Sequence, residues 1–159
     1  MLGYHFTTDT LRDGRPIPPL GKWLVHSGPL IPCRSGLHAS EHPLDALFYA
    51  PGPLLHKVVL DGEMVAHGHP VDKWCGRRRC ILETIDATML LNRFIRWGLG
   101  KWGVTQPDQA VIDDARREQR AMFDEMVYEA FRLGAQYARI RPEGSTPALG
   151  AHDDQERQE

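Results

Sequence analysis

Leu55-His56-Lys57-Val58-Val59-Leu60-Asp61-Gly62-Glu63-Met64-Val65-Ala66-His67 is the stretch on which the fold turns. Two apolar runs, Leu55 to Leu60 and Glu63 to His67, flank Asp61-Gly62. An Asp-Gly pair between such runs is the strongest short-range signal for a β-hairpin. The stretch therefore predicts a tight antiparallel hairpin, followed by a loop from Gly68 to Gly76 and a last strand from Arg77 to Ile85.

Working upstream, Leu2 to Thr8 alternates as a strand, with Tyr4 and Phe6 on one face and His5 and Thr7 on the other. Arg12 to Leu20 holds Asp13-Gly14 and three prolines, a turn and a stiff extended segment. Lys22 to His26 reads as a short strand. Cys33 to Ser40 has no periodicity, and Ser40 is placed to cap a helix from Glu41 to Ala50 with Pro43 in its first turn. Downstream, Asp86 reads as the cap of a helix to about Gly98. Pro107 opens the longest helix, which ends near Leu133 at Gly134. Its stripe of Val111, Ile112, Ala115, Met122, Phe123, Met126, Val127, Ala130 and Phe131 has helical spacing. Tyr137 to Arg141 is expected to return as a short edge strand.

The expected fold class is α+β: a small, mostly antiparallel sheet with a short inserted helix, followed by two C-terminal helices packed on it. A single domain should span 1–140, strand-rich over 1–85 and helical over 86–134, with 141–159 a polar, frayed tail. The chain of 159 residues is 42% hydrophobic and 25% charged, which excludes wholesale disorder. No apolar run is long enough to cross a bilayer. Three cysteines are too few for a disulfide scaffold, and with no signal-peptide pattern the expected compartment is the cytoplasm. A net charge of −2 argues against long nucleic acid as a partner.

Seven of the eight histidines precede residue 70, so candidate chemistry concentrates in the strand-rich part. Cys33, His38 and His42 form one cluster, and His67, His69, Cys75 and Cys80 a second; neither has compact ligand spacing, so no metal is expected. A Cys–His nucleophile has no support from spacing either. Lys73, Arg77, Arg78 and Arg79 flank Trp74 and would suit phosphates, with Trp74 as a stacking plane. The competing reading is a solvated strand whose arginines pair with Asp113, Asp114 and Glu118 of the long helix.

The segment Pro32 to Gly52, with Cys33-Arg34-Ser35-Gly36-Leu37-His38-Ala39 and a short helix ending in Tyr49, resembles an uncharacterised phage and prophage domain family. Members carry a C-x2-G-[LF]-H-A segment, then a Gly-Glu pair, an Asp-Lys pair and basic residues, matched by Gly62-Glu63, Asp72-Lys73 and Arg77 to Arg79. The resemblance spans roughly residues 20–95 and implies a phage or mobile-element origin without an activity. A second resemblance is to the ADP-ribosyltransferase fold, through His5-Phe6-Thr7, Gly36 to Ser40 and Tyr49. It implies an NAD pocket in which His5 holds the nicotinamide ribose, Tyr49 stacks on the nicotinamide, and Glu63 or Glu83 is the catalytic carboxylate. Two functions follow as expectations. One is a nucleotide-sized pocket formed by His5, His38, Ser40, Tyr49, Lys73 and Arg77 to Arg79, with NAD as the cofactor the resemblance implies. The other is a non-catalytic phage protein that binds and inhibits a host or anti-phage defence protein.

Overall fold

The computed structural model describes residues 1–102 and 109–140. The elements run β1 (Leu2–Thr7), β2 (Trp23–Val25), β3 (Leu37–Ala39), α1 (Pro43–Leu47), β4 (Leu54–His67), β5 (Lys73–Asp86), α2 (Thr88–Trp102) and α3 (Gln109–Ile140). The expected α+β class holds: five antiparallel strands with a short helix and two C-terminal helices packed on them.

Asp61-Gly62 is a bulge inside β4 and not a turn. Pairing with β5 runs through it, from Asp61 opposite Arg78 to Met64 opposite Gly76, with one extra residue on β4. Gly62 takes φ +80°, which the bulge requires. A left-handed glycine serves a bulge and a hairpin turn equally, so the local signal could not separate them. The decision is made by β5, which offers both apolar runs one continuous partner. The chain reverses instead over residues 68–72, around a cis His69–Pro70 bond. Hence the expected loop from Gly68 to Gly76 is shorter, and β5 begins at Lys73 rather than Arg77.

The bulges bend the sheet, and the bend closes it. β4 lies between β1 and β5, and β5 carries β2 and β3 along its other edge. Just after β3, Ser40 exchanges two backbone hydrogen bonds with Tyr4 of β1 (2.7 and 2.9 Å). Strand pairings β1-β4-β5-β3 thus return to β1 as a ring. Ser40 is buried in this bridge and does not cap α1; that helix starts at Pro43, with His42 in the cap position.

Alternation along β1 sorts its side chains as the sequence suggested. Tyr4 and Phe6 join Leu44, Leu55, Leu90, Phe123, Val127 and Phe131 in the core beneath the helices. His5 and Thr7 point the other way. A second apolar cluster, Ala39, Val58, Leu60 and Ile81, fills the inside of the ring. α2 runs past Gly98 to Trp102, and Asp86 accepts a hydrogen bond from the Thr88 amide at its start (2.9 Å). α3 continues through Gly134 to Ile140, so that glycine is no stop, and residues 137–140 are helical rather than an edge strand. Gly134 faces Ile85 of β5 closely: a Cβ there would lie 3.4 Å from its side chain. Pro107 and the tail 141–159 fall outside the described residues. Among the described residues no helix is long and apolar enough to cross a membrane.

Candidate functional site

β1, β3 and β5 and the loop before β3 surround a pocket of about 850 Å³, with Ala46 of α1 also in its lining. That is near the upper end of the range for small-molecule sites. His5, His38, Ser40, Tyr49, Lys73 and Arg79 all line it, though they come from residues 5 to 79. The ring closure is what gathers them. Arg77 and Arg78 are not among the lining residues. Arg77 reaches the Gly28 carbonyl and pairs with Glu63 (2.9 Å), and Arg78 pairs with Asp61 and packs over the Trp23 ring. Their acidic partners thus come from β4 and not from α3, where Asp114 pairs with Arg117 and Glu118 with Lys101.

Both candidate catalytic glutamates stand elsewhere. Glu63 is exposed at the bulge, and Glu83 pairs with Lys57 (3.2 Å), whose ammonium lies over the Phe131 ring on the helix face. Trp74 is also outside: its indole donates to Glu41 (3.0 Å) and packs against the cluster inside the ring.

The pocket is cationic. Its lining includes Arg12, Arg15, Arg34, Lys73 and Arg79 against a single carboxylate, Asp13, which Arg15 already neutralises (2.7 Å). Arg79 is only 4% exposed; one guanidinium nitrogen donates to the His38 carbonyl (2.7 Å), and Nε is buried with no partner. Burial lowers its pKa to about 10. Such a cation without a carboxylate is costly unless something anionic meets it.

Lys73 is similarly buried. Its ammonium lies 3.2 Å from the centre of the Tyr49 ring and donates to Cys33 Sγ (3.1 Å). The Tyr49 hydroxyl donates to Asp72 (2.6 Å), which pushes the phenol up to about 12. Tyr49 is thus a fixed wall, with one ring face already covered. Cys33 holds a positive φ of 65°, unusual for a residue with a Cβ, and its carbonyl accepts from Arg12 (3.1 Å). Its amide donates to His38 Nε2 (3.2 Å). Gly36 at φ +120° leaves the room this loop needs, because a Cβ there would collide with Cys75 Sγ.

Three histidines in and behind the pocket, His5, His38 and His56, are held in the neutral form. Burial, then the charges of Lys73 and Arg79, brings His38 down to about 4, and burial drives His5 well below its ordinary value. Behind His5, the Thr7 hydroxyl donates to the Thr8 carbonyl (2.6 Å) and so accepts from His56 Nε2 (2.8 Å). His56 Nδ1 then accepts from the Thr84 hydroxyl (2.8 Å). Burial followed by Arg79 lowers His56 to about 4. A histidine held below its unfolded value contributes stability that is full above that value and is lost as pH falls toward the folded one. Stability should therefore fall by roughly 1–2 kcal/mol for His56 alone between pH 7 and pH 5. Urea melts at the two pH values check this, and His56→Gln should show a smaller drop.

Arg12 and Cys33 also line the pocket, and His67 and Asp72 stand beside Cys33 and Tyr49; the sequence offered Cys33 and His67 only as members of two loose Cys/His clusters, Asp72 only in the Asp-Lys pair of the family resemblance, and Arg12 not at all. Among the described residues no group of three His, Cys, Asp or Glu is arranged to hold a metal. Compared with known proteins, residues 1–93 match a family model described as a domain of unknown function, DUF7666. No curated protein and no solved structure matches the chain.

Proposed function

Because the chain belongs to that family, whose description carries no activity, we propose a function from the pocket itself: binding of a phosphate-bearing ligand of nucleotide or dinucleotide size. Arg79 carries the reading. A buried guanidinium with an unpartnered Nε, in a lining with five cations and one neutralised carboxylate, is a receptor for an anion. The volume supports a ligand larger than free phosphate, and NAD and ADP-ribose are members of the class. Gly36 shapes the loop that lines the pocket, and Tyr49 supplies a wall. With Glu63 and Glu83 both engaged outside the pocket, the proposal is of binding and does not include ADP-ribosyl transfer.

Isothermal calorimetry with ADP-ribose, NAD, ADP and adenosine tests it. The phosphate-bearing ligands should bind, with affinity falling as salt rises, and adenosine should bind at least tenfold more weakly. Equal binding of adenosine and ADP, or no binding by any of the four, would overturn the proposal.

A further inference from the structure

The sulfur of Cys33 has two neighbours with opposite roles. Lys73 Nζ donates to it at 3.1 Å, and His67 Nε2 lies at 3.6 Å. Since the ammonium can only donate, the thiol proton is free to point at the imidazole, whose Nε2 accepts it in the Nδ1–H tautomer. Nucleophile, base and a fixed positive charge are thereby within contact of one another. Cys33 is exposed, whereas Cys75 and Cys80 are buried, and none of the three is in a disulfide. Cys33 also lines the cationic pocket together with Arg79, whose buried Nε has no partner there. Among the described residues Lys73 makes no ion pair with a carboxylate. The left-handed backbone at Cys33, anchored by Arg12, holds the sulfur in place.

We propose that Cys33 is a reactive thiol that undergoes exchange with small anionic disulfides drawn to the mouth of this pocket. The sulfur attacks one sulfur of the incoming disulfide, the Cys33–S bond forms, and the disulfide's own S–S bond breaks. The second half leaves as a thiolate, and the proton from Cys33 passes to His67 Nε2. The disulfide is itself the oxidant, so the step needs no other reagent. Lys73 attracts the anionic disulfide and offsets the negative charge shared among the sulfurs as they exchange. The proposal rests on the Cys33–Lys73–His67 cluster and on the charge of the pocket, and it stands whether or not a nucleotide binds.

Stopped-flow rates with dithiobis(nitrobenzoate), which is dianionic, and dithiodipyridine, which is neutral, test it when each is normalised to the neutral amide of N-acetylcysteine. The anionic reagent should gain about tenfold over the neutral one on the protein, and mass spectrometry should place the adduct on Cys33. Lys73→Met should remove the anion preference, slowing the anionic reagent well beyond the loss it causes with the neutral one. His67→Gln should slow both. Adding about 0.5 M salt to the unaltered protein asks the same question without a substitution and should erase most of the preference. A normalised ratio of one, an adduct on Cys75 or Cys80 instead, or a preference indifferent to both salt and Lys73→Met would overturn the proposal.

Discussion

Phe123→Ala lowers the free energy of unfolding by about 3–5 kcal/mol, the range for emptying a phenylalanine site in a full core. Phe123 has no exposed surface, and its ring lies 4.7 Å from that of Phe94 on α2. It belongs to the cluster that includes Phe6 of β1 and Leu55 of β4, so it is part of the one core that α2, α3 and the sheet share. A shift of the urea midpoint with an unchanged slope gives the measurement. A loss below about 1 kcal/mol would mean that α3 contributes little to the folded state and is held by other contacts.

Arg79→Met reduces binding of ADP-ribose by about a hundredfold, or about 2.7 kcal/mol, while leaving stability nearly unchanged. Two opposing effects produce the second half of that result. The His38 carbonyl loses its donor, which costs about 1 kcal/mol, and a buried cation without a carboxylate disappears, which stabilises by a similar amount or more. Calorimetry and denaturant melts on the same preparation separate the outcomes. If the variant loses about 3–5 kcal/mol of stability and binds as before, Arg79 is a structural cation and the pocket is no anion receptor.

Periodicity carried the parts of the fold that depend on neighbouring residues. Tyr4 and Phe6 were assigned to one face of β1, and Phe123 to Phe131 to one face of α3, and both faces meet in the core. Asp61-Gly62 was misread because the same glycine conformation suits a turn and a bulge, and only the length of β5 distinguishes them. The short helix falls inside the expected stretch but spans only Pro43–Leu47 rather than Glu41 to Ala50, and its cap differs: Ser40 is engaged by Tyr4, thirty-six residues away, and no local pattern reports such a partner. Gly134 likewise looked like a stop because its contact with Ile85 is long-range.

The site followed the same division. His5, His38, Ser40 and Tyr49 were legible as a group. Which arginine enters the pocket was not legible, since it depends on how β5 registers with β2 and β4. Cys33 and His67 lie thirty-four residues apart and meet only because the chain reverses at residues 68–72 and the loop before β3 folds over that end. Their spacing alone gave no reason to pair them.

The closed ring also sets the order in which the protein can assemble. During synthesis β1 emerges roughly fifty residues before β4, the strand it pairs with, and well ahead of the helix that covers Phe6. At typical translation speeds of about 5–20 residues per second, its edge and its apolar face wait several seconds for partners. The pairing of β1 with β4 and the bridge from Ser40 back to Tyr4, which close the ring, each span a long stretch of chain, a topology that slows folding relative to one built from local contacts. The pocket, bounded by the first strand and the last, is therefore a late product of folding: the nascent chain holds its pieces before it holds the site.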